Sequence, residues 1–302
     1  MKSVAITGAT GLLGGCFCES FAADGWRVRA LVRSPGDFTA RHEAIETYRC
    51  DLPDDVDPQA LAGADVLVHC AWPTRERDPA AVHRGGEEGT RTLRRLAHEQ
   101  GVERFVFLSS TSAGPRARSQ YGRSKHALEL ELDATRDLVL RPGLVLSRAE
   151  TGLFHRLCRS LSRSPVLPVV GGRRIVQTVH VDDLFRALRT ALEEGVTGEI
   201  TVAEPDGLTF EDLLSEIASR LGRRCLPIRL HEGLVLGALR AVEALHIPAP
   251  VSSDNLLGLT SLEARPADAV VRALGVHVRS ATESLDDILG PPQRPVAGSR
   301  NP

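Results

Sequence analysis

The chain is poor in two residue types that carry chemistry. Of its 37 basic residues only Lys2 and Lys125 are lysine, the rest being arginine, and only Tyr48 and Tyr121 are tyrosine among 302 residues. It also lacks any apolar run approaching the roughly 18 residues of a membrane span, which excludes a spanning helix. A signal peptide is not expected, because Met1-Lys2 leads straight into an apolar strand pattern, and a cytoplasmic location follows as the expectation. The net charge of -2 supplies no basic excess for neutralising phosphate backbones, so nucleic acid is not an expected partner. The six cysteines form no C-x-x-C pair and fall mostly in apolar contexts, so no metal or disulfide is expected. A hydrophobic content of 42% and a charged content of 25% describe an ordinary globular chain.

Against this background the N-terminal stretch stands out. Val4-Ala5-Ile6-Thr7 reads as a buried strand, and Gly8, Gly11 and Gly14 follow in a G-x-x-G-x-x-G spacing before a helical pattern from Leu12 towards Ala23. The first glycine permits the turn, the second lets a pyrophosphate approach bare backbone, and the third lets helix and strand pack closely. The anion then faces the unpaired N–H groups at the positive end of the helix. With a second strand at Arg27 to Val32, this is the pattern of a dinucleotide-binding Rossmann unit. Val32 occupies the strand-end position where an acidic residue takes the ribose of NAD, and Arg33 follows it, which favours NADP(H) over NAD(H).

Further strands are expected at 48–52, ending in Asp51 and Leu52 on the adenine side, at 64–72 and at 103–108, with a helix from about Pro79 to Gln100 between the last two. The strand at 103–108 runs into Ser109-Ser110-Thr111-Ser112, placing hydroxyls at the carboxyl end of a strand, where ligands of open α/β sheets bind. Next comes Tyr121-Gly122-Arg123-Ser124-Lys125 at the head of a helix. The i, i+4 spacing puts phenol and ammonium on one helix face. A phenol of ordinary pKa about 10 is a poor acid at neutral pH, and an adjacent cation brings it towards working range.

Leu138 to Gly143 is expected as a sixth strand, Leu153 to Ser162 as a helix, Pro165 to Gly172 as an irregular linker, and Ile175 to Asp183 as a β run entering another helix. His180, at that helix start, is expected to serve the structure and not the chemistry. Strands are also expected at 199–203 and 226–230, and helices from Thr209, over 231–245, over 267–275 and over 280–289. The apolar 231–245 helix is expected to pack over a substrate pocket, with a membrane-surface helix as the alternative. The composition of 291–302 indicates a disordered tail.

With these motifs in place the chain resembles the short-chain dehydrogenase/reductase superfamily, in its extended or atypical branch of epimerase/dehydratase type. The resemblance rests on Thr7 to Gly14, Gly89-Thr90, Phe107 to Thr111, Tyr121 with Lys125, Arg141-Pro142-Gly143 and Val179 to Asp183. It implies an α/β fold: a doubly wound parallel sheet in residues 1–148, to which 173–192 returns, and a smaller, mostly helical substrate region in 149–302. It implies Tyr121 as general acid/base, Lys125 holding the nicotinamide ribose, and Thr111 or Ser110 orienting a substrate carbonyl. The cofactor is expected along Thr7, Gly8, Thr10, Gly11, Leu12, Leu13 and Gly14, at Arg33, Asp51 and Leu52, at Cys70, Ala71, Trp72 and Ser109, and at Tyr121, Lys125, Pro142, Gly143 and Leu144. Gly86 replaces the asparagine that relatives often carry before the Gly-Thr pair. The expected activity is NADP(H)-dependent reduction of a carbonyl, or the reverse oxidation, on a small and partly apolar molecule, with pocket candidates Trp72, Leu144, Leu153, Phe154 and Leu234. The alternatives are a nucleotide-sugar epimerase or 4-ketoreductase and a non-catalytic NADPH-binding protein. A homodimer is the expected assembly.

Overall fold

A computed structural model describes residues 2–293, apart from 75, 77, 165, 246, 248–250, 263 and 266–268. The expected tail therefore lies, from 294 onward, outside the described residues.

In chain order the first elements are β1 (Ser3–Thr7), α1 (Leu12–Ala23), β2 (Arg27–Val32), β3 (Ile45–Asp51), β4 (Asp55–Val56) and β5 (Val66–His69). They are followed by α2 (Pro79–Val82), a π-helical segment (His83–Glu88), α3 (Gly89–Glu99), β6 (Arg104–Leu108), α4 (Gln120–Glu131), β7 (Leu138–Pro142), β8 (Leu144–Leu146) and α5 (Gly152–Arg163). Beyond these come β9 (Val166–Val169), β10 (Ile175–Val176), β11 (Thr178–His180), α6 (Val181–Glu193), β12 (Gly198–Val202), β13 (Leu208–Thr209) and α7 (Phe210–Arg220). The chain closes with β14 (Leu226–Arg229), α8 (Glu232–Ala244), α9 (Ser253–Thr260), α10 (Ala269–Ala273) and α11 (Ala281–Leu289).

The large sheet has the order β12-β7-β6-β5-β1-β2-β3-β4. The pairs from β7 through to β3 are all parallel, and β4 closes the edge antiparallel to β3. This is the doubly wound α/β architecture expected from the alternating pattern, with the strand order reversing beside β1. The carboxyl ends of β1, β5 and β6 are adjacent in the sheet, so the glycine turn, Cys70-Ala71-Trp72 and Ser109 emerge at one edge.

Two compact units divide the chain, one of residues 1–109, 124–141 and 185–200, the other of 110–123, 142–184 and 201–302. In the first, Ala5, Leu31, Leu67, Phe105 and Phe107 of the strands bury against Leu93 of α3 and Leu128 of α4. In the second, Leu146 and Phe154 pack with Leu213 and Ile217 of α7 and Leu285 of α11. Each such side chain contributes about 1.5–3 kcal/mol on leaving water.

Four expectations are corrected. The helix expected without a break from Pro79 to Gln100 passes through one π turn at His83–Glu88, where Gly85 and Gly86 supply no side chains to resist the wider winding. The expected linker before Gly172 contains β9, whose parallel partner β14 lies some sixty residues onward and leaves no local trace. Helix α9 was not expected; its boundary is a capping box between Ser252 and Asn255 rather than an apolar period. Finally, α8 buries none of its residues, and Phe154 belongs to the second unit's core instead of lining a pocket.

Candidate active site

The glycine turn is built for close approach. Gly8 holds φ +67°, and a Cβ there would lie 2.9 Å from the Cα and N of Ala71. A Cβ on Gly14 would lie 2.2 Å from the carbonyl oxygen of Gly8, and one on Gly11 3.1 Å from it. The turn closes through a bond from the Gly11 N–H to the Gly8 carbonyl at 2.8 Å. Gly11 is also the N-cap of α1, with no side-chain cap and no acid in the first turn. The first N–H groups of a twelve-residue helix are thus left for an anion. These residues fit a dinucleotide pyrophosphate, which Gly8, Gly11 and the N-terminus of α1 would hold.

Behind the turn runs a chain of hydrogen bonds whose direction is fixed at every step. The Ala71 N–H donates to Thr7 Oγ1 at 3.1 Å, Thr7 Oγ1 lies 2.7 Å from His69 Nδ1, and His69 Nε2 lies 2.9 Å from Thr90 Oγ1. The Thr90 hydroxyl spends its proton on the Gly86 carbonyl at 2.6 Å. It can only accept from His69, so the imidazole carries its proton on Nε2 and receives the Thr7 hydroxyl at Nδ1. A doubly protonated ring would instead donate from Nδ1 to Thr7 Oγ1, which the loss of hydration on burial disfavours. Full burial and the nearby Lys125 cation agree with this, pushing the His69 pKa down to about 3.

Lys125, buried on α4, sits beside this chain. Its Nζ donates to the Leu108 carbonyl at 2.6 Å and lies 4.1 Å from the centre of the Trp72 ring and 4.3 Å from that of Phe107. Burial is the main influence on it, and its pKa is pushed down to about 7. The flanking aromatic faces favour the cation but do not replace water. The same helix is held at Ser124, whose hydroxyl donates to Glu87 of the π segment at 2.6 Å. It is held again at Glu129, which receives Ser109 Oγ and a bidentate Arg141 guanidinium. Ser109, expected at the cofactor, therefore gives its hydroxyl to this buried carboxylate.

Tyr121 stands four residues before Lys125 on α4. The start of that helix is fixed by Asp254 of α9, whose carboxylate receives the N–H groups of Gln120, at 2.5 Å, and Tyr121, at 3.3 Å. Of the candidate hydroxyls, Ser110 Oγ is engaged with Ser112, at 2.9 Å from its Oγ and 3.1 Å from its N–H. Thr111 is half-buried, its N–H bonded to the Pro142 carbonyl at 3.2 Å, and its hydroxyl has no hydrogen-bond partner among the described residues. Gly143 is obligatory, because a Cβ there would lie 2.5 Å from the Gln177 carbonyl oxygen. Leu144 pairs with Thr178 in the short β8–β11 ribbon.

At the adenine side, Arg33 is exposed after β2, and Arg49 reaches across from β3 to donate to the Arg33 carbonyl at 3.2 Å. Asp51 is exposed opposite Asp55, and Leu52 packs where a Cβ on Gly89 would lie 2.9 Å from it. Thr10, Leu12 and Leu13 keep partial or full exposure beside the turn, and Cys70 is half-buried. The structure thus groups Thr7 to Gly14, Cys70 to Trp72, Ser109 and Lys125 in the first unit. Ser110, Thr111, Tyr121, Pro142, Gly143 and Leu144 belong to the second. Asp254 and Glu129 escaped the sequence reading, which named Thr90 and Arg141 only as parts of motifs and gave them no role. Only Asp254 had a local sign, its place in the first turn after Ser252-Ser253.

His180, expected to serve the structure, is tied into a buried polar cluster. It is 3% exposed, and its Nδ1 accepts from Arg279, which also grips the fully buried Asp183. No disulfide joins the cysteines among the described residues, and burial pushes Cys18 and Cys50 up to about 12, so these two behave as apolar groups. Among the described residues no cluster suits a metal ion, and no helix is long and apolar enough to cross a membrane.

Comparison with known proteins agrees with this geometry. Residues 4–203 match the family model described as the NAD dependent epimerase/dehydratase family. Ceramide reductase of Caulobacter vibrioides is 34% identical over 254 residues, covering 80% of this chain and 77% of that protein. The 4-hydroxy-2-methyl-3-oxo-4-farnesyl-3,4-dihydroquinoline-1-oxide ketoreductase of Stigmatella aurantiaca is 27% identical over 225 residues, 65% of this chain and 66% of the relative. The match to uncharacterized mycobacterial proteins spans about a quarter of their length. Among solved structures, the human epimerase family protein SDR39U1 with NADPH superposes with a TM-score of 0.70 at 18% identity, over 95% of this chain and 99% of that one.

Proposed function

The chain belongs to the NAD-dependent epimerase/dehydratase family, and from that premise we propose that it is an NADP(H)-dependent ketoreductase acting on a carbonyl of a lipophilic small molecule. The observation that carries this reading is the intact Tyr121 and Lys125 pair on α4, its first turn held by Asp254 and its lysine buried against Trp72 and Phe107. Such a pair is the machinery of proton transfer at a carbonyl oxygen, which a protein that only binds its cofactor does not need. A nicotinamide held beyond the Gly8–Gly14 turn would supply hydride chemistry at the carbonyl carbon. Tyr121 gives its Oη proton to the oxygen as negative charge develops there, and the Thr111 hydroxyl donates a hydrogen bond to the same oxygen. A cation at Lys125, four residues along the same helix, would favour release of that proton.

Thr111 is preferred to Ser110 because its hydroxyl is uncommitted, whereas that of Ser110 is bonded to Ser112. NADP(H) is preferred because Arg33, not an acid, follows β2 and is supported by Arg49. The first unit is assigned to the dinucleotide and the second to the substrate. The lipophilic class is suggested by the named substrates of the two reductase relatives, a ceramide and a farnesylated dihydroquinoline oxide.

The test is NADPH oxidation with a panel of ketones and aldehydes graded in chain length, with Tyr121→Phe as control. Turnover that rises with chain length and falls by about 10²–10⁴ in the variant supports the reading. Tight NADPH binding with no turnover on any carbonyl sinks it.

A further inference from the structure

Large apolar side chains exposed to water are concentrated in one segment. Ten stand exposed among the described residues; seven lie between Leu226 and Val251, and an eighth, Val166, is the strand partner of Leu226 in the β9–β14 ribbon. Scattered single leucines on a surface need no explanation, but a contiguous group of this kind marks a contact.

Helix α8 sharpens the point. Val235, Leu236, Leu239 and Val242 lie half-buried along one face. An adjoining stripe, exposed to water where a surface helix ordinarily carries charge, holds Leu234, Ala238, Ala241 and, just past the helix end, Leu245, with Leu234 75% and Leu245 70% exposed. The acids of the helix do not reach that stripe. Glu232 pairs with Arg118 at 2.7 Å, and Glu243 receives the N–H and hydroxyl of Ser253 at 2.6 and 2.7 Å. Exposed arginines accompany this segment. Arg223 and Arg224 precede β14, Arg240 is exposed on the side of α8 turned away from its half-buried residues, and Arg173 and Arg174 line a cavity of about 590 Å³ together with Leu230. Arg229, in the same cavity, is neutralised by Glu211.

We propose that the second unit docks on an anionic phospholipid surface, with α8 lying in the interfacial plane and the β14 edge beside it. An apolar helix face accompanied by arginines is the composition that interfacial helices use, the leucines entering the acyl boundary while the guanidinium groups meet lipid phosphates. A second copy of the chain fits less well. A two-fold contact sets the same patch against itself, and the accompanying arginines would then face one another across the interface. The proposal does not depend on the reductase reading, since it concerns where the protein sits and not what it reduces.

The test is co-sedimentation of the full chain with vesicles of phosphatidylcholine alone and of phosphatidylcholine with phosphatidylglycerol. Binding to the anionic vesicles that salt weakens is expected. Leu234→Ser with Leu245→Ser lowers the partition coefficient by tenfold or more at any salt. Arg223→Gln and Arg224→Gln lower it about fivefold each, and only at low salt. NADPH binding, read by fluorescence, stays unchanged in all of these variants and shows that they are folded. Equal and negligible sedimentation with both vesicle types overturns the proposal. So does a dimer, seen by sedimentation velocity, that Leu234→Asp converts to monomer. Turnover of a water-soluble carbonyl reports on the reductase reading separately, because it needs no vesicle.

Discussion

The indole of Trp72 occupies the space that a side chain at residue 86 would take: a Cβ on Gly86 would lie 3.0 Å from both Cη2 and Cζ2 of that ring. The same ring covers the ammonium of Lys125 at 4.1 Å. A side chain at 86 and the indole of Trp72 therefore compete for one space beside the lysine.

Placing a polar side chain there, by Gly86→Asn, is expected to lower stability by about 1–3 kcal/mol through overpacking. In a Trp72→Ala background the clash is gone, and the same substitution costs less. A double-mutant cycle on urea midpoints measures the difference, and additive effects would show that the two positions are not coupled.

The burial of Lys125 bears on stability, and on activity if the proposed role holds. Its pKa is about 7 in the folded protein and near 10.4 in the unfolded chain. Between those values the unfolded state binds more protons, so wild-type stability rises with pH across this window. Without cofactor, Lys125→Met is expected to be more stable than wild type at neutral pH by on the order of 1 kcal/mol, since no charge is then buried. That margin should shrink towards pH 10, while turnover falls by about 10² or more at every pH. A variant less stable than wild type at pH 7 would mean that the aromatic faces and the Leu108 carbonyl outweigh desolvation.

Arg33→Ala should weaken NADPH binding by about 1–3 kcal/mol and leave NADH binding nearly unchanged, because a charge-assisted bond to the extra phosphate is lost. Arg49→Ala should show the same selectivity with a smaller loss, since Arg49 braces the Arg33 carbonyl and also pairs with Asp55. Fluorescence titration of both nucleotides decides. Equal loss for both would place Arg33 away from the phosphate.

Acid stability should report on His69. Its folded pKa of about 3 lies below the ordinary 6.5, so the stability it gives is fully present above pH 6.5 and is lost as pH falls towards 3. The whole effect is on the order of 5 kcal/mol. His69→Gln, which cannot protonate, should show a flatter dependence of the denaturation midpoint on pH between 6.5 and 4. An unchanged slope would place acid lability elsewhere, His180 with its lowered pKa being the next site to examine.

The strands of the parallel sheet, the glycine turn, the spacing of Tyr121 and Lys125 and most helix starts were legible in the residues alone. Each of these is written within a few neighbouring residues, as an apolar period, a cap or a glycine that the local backbone requires. That β9 exists, that Asp254 holds the head of α4, that Trp72 fills the place beside Gly86 and that α8 exposes apolar residues emerged only on folding. In each case the determining partner lies far along the chain, or in the case of α8 is missing from the inner core. Hydrogen-bond direction at His69 and the space left at Gly86 are likewise properties of atoms that meet only after folding, and no local pattern encodes which distant surfaces will meet.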